Sequence, residues 1–223
     1  MSLFLALTLR LCVLTVLLAG GCYDGSFIAI PHESETYTSE LKGALEEPPT
    51  FTRLPVTVGV YYSSKFRTYQ YRFTVEVALE EYVIPLGKPS ARLFDQISPI
   101  MFDRVIYLQH RPPLSPAESN LDLIIEPRIE EFDIGYPAYF FQTSRTEIVY
   151  RITLYSTDGT PFASWTVTGM SEGRPDLFER SHTHFGKRSD LALQDAAKKF
   201  MTGFHNIPEV RAWLRRRGVA GTQ

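Results

Sequence analysis

Two histidines at positions i and i+2, His182 and His184 in the run SHTHF, are the first side chains whose types and spacing could support chemistry. Imidazole nitrogens bind transition metals, and residues two apart in an extended segment point to one side. A metal site needs further ligands at a standard interval, and no cysteine, aspartate or glutamate stands at one here. We expect both histidines to be exposed in a polar loop and no metal to be bound, with a metal site as the alternative.

A second candidate is a run of acids, Glu126, Glu130, Glu131 and Asp133, within LDLIIEPRIEEFD. Paired carboxylates can carry out general acid–base chemistry when they share a cleft. In this run the apolar side chains alternate with polar ones, so Glu126 and Glu130 fall on the face opposite to the apolar residues. We favour a solvated strand face over a carboxylate site.

Other patterns that would indicate an enzyme or a nucleotide-binding protein are absent from the sequence. No nucleophile stands beside a base at a persuasive interval, and neither GxGxxG nor GxxxxGK occurs. The formal charge of −2 gives no basic field for a phosphate backbone. We expect a protein that is not an enzyme and that binds no cofactor, nucleotide or nucleic acid.

Residues 1–21 have the order of charges and apolar residues that is typical of a signal peptide. One cation, Arg10, precedes an unbroken apolar run from Leu11 to Ala19, and the small residues Gly20 and Gly21 follow. The alternative is a permanent membrane helix, which would place Arg10 near mid-bilayer at a cost of about 2.5 to 3.5 kcal/mol. We therefore predict a cleaved leader.

The run Leu18-Ala19-Gly20-Gly21-Cys22 resembles the lipobox of bacterial lipoproteins, although Ala19 stands where leucine is commonest. A thiolate is a soft nucleophile suited to thioether formation. The resemblance implies that Cys22 receives a diacylglycerol and becomes the first residue of the mature chain. Because Tyr23 rather than aspartate follows it, the resemblance implies the outer membrane, with the domain facing the periplasm.

Residues 22–53 are predicted to be a lipidated N-terminus and a flexible tether, because they are rich in Pro, Glu, Ser and Thr and show no sustained period. Residues 54–223 are predicted to form one α+β domain. Its expected elements, in chain order, are strands in 54–63 and 69–84, a helix over 90–105 capped by Ser90, strands at 105–109 and 121–132, a hairpin of 146–155 and 162–169, and helices over 189–204 and from Pro208.

This order predicts a mostly antiparallel sheet with two main helices on one face, which is a two-layer sandwich. The residues between 171 and 188 are expected to be a loop, since they are rich in charge, Gly and Ser.

An aromatic run, GYPAYFFQ, interrupts the predicted strands and contains Tyr136, Tyr139, Phe140 and Phe141. Connections between strands are usually polar, so these rings either fold back over the core or form an exposed patch for a partner or an acyl chain. If the domain acts by contact, these four residues are the expected interaction surface.

Four phrases, VTVGVYY, LDLIIEPRIEEF, IVYRITLYSTDGTPFASW and LALQDAAKKF, resemble a group of periplasmic lipoprotein domains. The group comprises the curli-secretion lipoprotein, the lipoprotein activators of penicillin-binding proteins and the N-terminal domain of the Tol-system propeller protein. The resemblance implies a non-enzymatic part of an envelope assembly or transport system that acts on a protein partner.

The sequence leaves open two functions from different classes. The first is a membrane-anchored interaction or accessory module. The second is a carrier or sensor of a hydrophobic ligand such as a lipid, held between the helix at Leu93 to Met101 and the sheet. A closed core would favour the module, and an open apolar pocket of several hundred Å³ would favour the carrier.

Overall fold

Alternating strands and two amphipathic helices give the α+β architecture that the sequence predicts. The computed structural model describes residues 35–75, 79–114, 120–135, 143–176 and 179–219. The strands are β1 Thr36–Thr38, β2 Leu54–Tyr61, β3 Gln70–Val75, β4 Glu80–Pro85, β5 Phe102–Leu108, β6 Leu123–Ile134, β7 Ser144–Tyr155 and β8 Pro161–Gly173. The helices are α1 Ser64–Arg67, α2 Gly87–Met101, α3 Ser181–Gly203 and α4 Pro208–Arg216, with a 3₁₀ turn at Phe204–Asn206.

The larger sheet has five strands in the order β5-β2-β6-β7-β8. Strands β6, β7 and β8 form a long antiparallel meander, and β2 joins it through parallel pairings with β6 and β5. The predicted hairpin is confirmed, with Gly159 at the turn at a φ of +88°, a conformation that glycine adopts without strain. A second sheet of three strands has the order β1-β4-β3.

Helices α2 and α3 pack on one face of the five-stranded sheet, so the two-layer arrangement is confirmed. The sheet presents the inward residues of β7, Ile148, Tyr150, Ile152 and Leu154, all at most 1% exposed. Ser90, expected to cap the first helix, instead lies inside α2, which begins three residues earlier at Gly87. Its hydroxyl is buried and lies 2.6 Å from the Tyr150 hydroxyl, so it links helix to sheet.

A bulge at Glu130 reverses the inward face of β6 part of the way along the strand. The pairing register with β7 shifts between Ile129 and Glu131. Before the shift, odd-numbered residues such as Ile125 face the core, and after it Phe132 and Ile134 do so. One extra residue therefore keeps both halves of a long apolar strand buried.

The segment from residue 39 to 53, predicted to belong to the tether, instead packs across the helices, and we call it the strap. The main-chain N–H groups of Lys42 and Gly43 donate to the two carboxylate oxygens of Asp190 on α3, at 2.8 and 2.9 Å. Gly43 has a φ of +57°, and a Cβ there would lie 2.4 Å from the Pro89 backbone. Just before the strap, β1 pairs in parallel with β4.

The last long helix begins at Ser181, so the loop predicted up to residue 188 is wrong over its second half. The buried face of the helix continues backward from Leu193 through Ser189 to Phe185, at a spacing of four residues. Gly186 contributes to the loop-like composition of this segment. It is needed because a Cβ there would lie 2.6 Å from the carbonyl oxygen of Glu40.

The helix α3 also protects the outer edge of the sheet. Its Asp195 accepts a hydrogen bond from the Met170 N–H at 2.8 Å, and its Lys199 donates to the Thr168 carbonyl at 3.0 Å. These side chains satisfy backbone groups of β8 that would otherwise be free to pair with another strand. Among the described helices, none is both long and apolar enough to cross a bilayer.

Candidate functional site: a buried carboxylate in a cationic cleft

The carboxylate of Glu126 is 1% exposed, so the predicted solvated position is wrong. The alternation of side chains along β6 correctly places Glu126 on the face of the strand away from the helices. That face is covered by a second small core, whose buried members are Leu108, Leu121, Ile124 and Tyr155. Leu114 and Leu121, which follow β5, pack on that face, so β6 is buried on both sides there.

Both oxygens of Glu126 are occupied by partners. Oε1 accepts from Nε and Nη2 of Arg128 at 3.1 and 3.0 Å. Oε2 accepts from the Tyr155 hydroxyl at 2.7 Å and lies 3.3 Å from Nε of Arg111. A buried charge is costly unless it is paired and hydrogen-bonded, and this one is both.

Tyr155 connects the second arginine to the carboxylate. Arg111 Nη2 donates to the Tyr155 oxygen at 2.7 Å, and the Tyr155 hydroxyl in turn donates to Glu126. Burial raises the pKa of Tyr155, and the hydrogen bond to Glu126 raises it further, against the opposing hydrogen bond from Arg111. The phenol therefore remains a donor across the physiological range.

This cluster forms one wall of a cleft of about 350 Å³. Arg111, Arg128 and Lys65 line it together with Glu126, and so do the rings of Tyr61 and Tyr69. The arginine side chains are 51% and 47% exposed, so the cations face the solvent while their carboxylate partner does not. The cleft therefore presents positive charge beside aromatic surface.

Glu130 provides a contrast on the same strand. It pairs with Arg151 of β7, and both side chains of this pair are largely exposed, at 36% and 42%. For Glu130 the predicted solvated face is correct. Glu126 and Glu130 are not brought into one cleft, so the acidic run does not form a carboxylate pair.

A second polar cluster joins Ser144, His184 and Glu179. His184 Nε2 lies 2.7 Å from Ser144 Oγ, and its Nδ1 lies 3.0 Å from Glu179 Oε2. His184 is 2% exposed, so its predicted exposure is wrong; the helix that begins at Ser181 turns it toward the sheet. The order of atoms is that of a nucleophile, a base and an acid.

The hydroxyl of Ser144 is nevertheless not arranged as a nucleophile. Ser144 is 1% exposed, and its Oγ also lies 2.9 Å from the Gly173 carbonyl oxygen, so the hydroxyl is closed off from a substrate. A catalytic serine gives its proton to the base and reaches a substrate. We interpret this cluster as a structural link that fastens the start of α3 to strands β7 and β8.

His182, the other histidine of the predicted pair, is half-buried and stacks on Tyr37 with ring centroids 5.8 Å apart. Since both histidines lie on a helix, they point in different directions. No group of three or more metal-ligating side chains occurs among the described residues.

The space assigned to a hydrophobic ligand, between α2 and the sheet, is filled by side chains. Phe94 of α2 contacts the rings of Tyr150 and Phe200, with centroids 5.5 and 5.6 Å away, and it is 4% exposed. Leu93, Ile97 and Met101 are at most 1% exposed. The hypothesis of a lipid carrier required an open pocket between α2 and the sheet, and the packed side chains leave no such pocket there.

Two sets of predicted site residues lie outside the described part of the chain. They are the lipidation residue Cys22 and the aromatic group Tyr136, Tyr139, Phe140 and Phe141. Both remain predictions.

No family model matches this chain, and no curated protein matches it. Similar solved structures include a Xanthomonas campestris protein described by the family model DUF330, at 9% identity and a TM-score of 0.45, covering 78% of this chain and 98% of that one. A minor lipoprotein from Acinetobacter baumannii has 7% identity and a TM-score of 0.40, with 70% and 97% coverage. A hypothetical protein from Chlamydia trachomatis has 9% identity and a TM-score of 0.30, with 73% and 95% coverage.

Proposed function

We propose that the chain is a lipoprotein, attached through lipid on Cys22 to the periplasmic face of the outer membrane. There it acts as a non-enzymatic interaction or accessory module of an envelope assembly or transport system. This proposal rests on the lipobox-like run from Leu18 to Cys22. The run ends a leader in which the cation Arg10 precedes an apolar segment. The more specific group of curli-secretion, penicillin-binding-protein-activator and Tol-system lipoproteins rests on the sequence resemblance alone.

Two features of the described domain support a role in contact rather than in chemistry. The Glu126 and Ser144 clusters, which have the residue types of reactive sites, direct their hydrogen bonds to partners within the fold. The core under α2 is closed by packed rings. Such a domain offers its surface to a partner.

Mass spectrometry of the mature N-terminus tests the anchor. The expected product begins at Cys22 and carries a diacylglycerol mass, and it fractionates with the outer membrane. Cys22→Ala abolishes this mass and releases any processed protein from membranes. Cys12→Ala is the matched control, because Cys12 is removed with the leader and its loss leaves the product unchanged. A mature protein with unmodified Cys22, or cleavage at another residue, would refute the proposal.

The aromatic run is the proposed contact surface for a protein partner of the envelope. Two buried rings contribute about 3 to 6 kcal/mol to binding, at about 1.5 to 3 kcal/mol each. Replacing Tyr139 and Phe140 with serine is expected to preserve cooperative unfolding and to abolish copurification of the crosslinked partner. A double variant that loses cooperative unfolding would show instead that the rings belong to the core.

A further inference from the structure

The charges in the cleft beside Glu126 do not cancel. Among the described side chains that line it, Lys65, Arg111 and Arg128 are cations and Glu126 is the single acid. Glu131 lies near enough to Tyr69 to raise the pKa of that phenol, although burial of the ring is the larger cause. Even with this outer acid the cations are in excess, so the cleft carries positive charge that its own residues do not neutralise.

The hydrogen-bonding capacity of the cations is also incompletely used. Arg128 donates from Nε and Nη2 to Glu126. Arg111 donates from Nη2 to Tyr155, and its Nε pairs with Glu126. No described residue accepts from Nη1 of either arginine or pairs with Nζ of Lys65. A guanidinium has five N–H groups, so each arginine retains donors for a further acceptor.

Glu126 holds these donors in place. An arginine bonded through Nε and Nη2 to a buried carboxylate keeps the plane and direction of its guanidinium. The Arg111 guanidinium is also stacked over the Tyr155 ring at 5.6 Å, which fixes its position. The buried acid therefore orients cations that face solvent, and less entropy is lost when they bind a ligand.

The less polar lining residues of the cleft define the rest of the ligand. Tyr61 and Tyr69 are half-buried, and Ile129 is 8% exposed. A volume of about 350 Å³ holds a small organic molecule. This lining suits an aromatic or apolar group rather than a hydrated inorganic ion.

We propose that this cleft binds the oxyanion, a carboxylate or a phosphate, of a small organic ligand whose apolar part lies against Tyr61 and Tyr69. The free donors of Arg111, Arg128 and Lys65 take the oxyanion, and Glu126 positions the two arginines. This site is independent of lipidation at Cys22.

Calorimetric titration of the full-length protein in detergent tests the proposal with benzoate, phenyl phosphate and inorganic phosphate, and with benzyl alcohol as the neutral control. Saturable binding of benzoate or phenyl phosphate, and none of benzyl alcohol, is expected. The two organic anions distinguish a carboxylate site from a phosphate site. Inorganic phosphate should bind more weakly than phenyl phosphate, since it lacks the apolar part. Binding should weaken in about 0.5 M NaCl, which screens exposed charges.

The decisive variant is Lys65→Gln, because no described residue forms a hydrogen bond or ion pair with the Lys65 ammonium and its loss leaves the Glu126 cluster intact. We expect it to weaken binding about fivefold. Lys187→Gln is the matched control, since Lys187 is also exposed but lines a different cleft, and it should bind as the wild type does. Absence of saturable binding by all three anions, or equal affinity in Lys65→Gln and the wild type, would overturn the proposal.

Discussion

Replacing Glu126 with glutamine removes a buried charge while keeping the volume of the side chain. In the wild type this carboxylate accepts two hydrogen bonds from Arg128 and one from Tyr155, and it pairs with Arg111. The amide of glutamine has one oxygen, so its NH₂ group must face a donor, either a guanidinium or the phenol. At least one charged hydrogen bond is lost and a donor is left without an acceptor.

Breaking a fully buried pair costs about 3 to 5 kcal/mol, mainly because the remaining charge is stranded away from water. In this cluster the two arginines are 51% and 47% exposed, so water can solvate them after the substitution. The expected loss is therefore smaller, about 2 to 3 kcal/mol. For a domain of this size it lowers the melting temperature by about 8 °C, at about 2 to 4 °C per kcal/mol.

Glu130→Gln is the matched control, since Glu130 lies on the same strand and also pairs with an arginine. That pair is largely exposed on both sides, and such pairs contribute about 0 to 1 kcal/mol. Its melting temperature should fall by no more than about 4 °C. Thermal unfolding followed by circular dichroism measures both values. If Glu126→Gln is no more destabilising than Glu130→Gln, the buried carboxylate does not stabilise the fold.

Two further predictions concern α3 and the strand beside it. In Gly169→Ala the new Cβ would lie 2.0 Å from the Ala192 carbonyl oxygen, so α3 must move away from β8; urea unfolding should show a loss of about 3 kcal/mol. Gly203→Ala, where a Cβ meets no atom within 4 Å, should unfold as the wild type does, and equal midpoints for the two variants would contradict the close approach. Burial raises the pKa of Glu179, but hydrogen bonds from His184 and a main-chain N–H outweigh it, so its pKa lies below the ordinary value of 4.5. The stabilisation by Glu179 is thus fully present above pH 4.5 and is lost as the pH falls through the lowered pKa. The urea midpoints of wild type and Glu179→Gln should converge on acidification, and a constant difference would exclude this linkage.

Local periodicity was sufficient to predict the elements whose side-chain pattern repeats. The first strand of the β7–β8 hairpin alternates, and parity alone places Ile148, Tyr150, Ile152 and Leu154 on one face, which is the buried one. The stripe of α3 from Leu193 to Phe204 was likewise visible as a helical period. Both are properties of one contiguous segment.

The environment of Glu126 could not be predicted in the same way. Parity indicates which face of a strand a residue occupies, and that inference was correct for Glu126. Whether that face is wet depends on what covers it, and the cover comes from residues that follow β5, including Leu121. Burial of the second face is a tertiary property that the strand does not encode.

The start of α3 was missed because its local signals are weak. Arg180 at the N-cap makes no side-chain capping bond, and Gly186 within the helix is unfavourable to it. The four-residue spacing of Phe185, Ser189 and Leu193 was the sequence signal that could have indicated the earlier start of the helix. Strand β1 is three residues long, too short to show a period, and it is a strand because β4 lies beside it.

Together with β1, the strap shortens the chain between the folded domain and the lipid proposed on Cys22. A chain from Cys22 to Thr36 spans at most about 50 Å, whereas one reaching Leu54 would span about 110 Å. Strand β1, Thr36–Thr38, lies at the margin of the small sheet. If Cys22 carries a lipid as proposed, the margin of the small sheet would stay within about 50 Å of that residue. Force applied to the N-terminal end of the domain would act first on the pairing of β1 with β4 and then on the hydrogen bonds between the strap and Asp190 of α3.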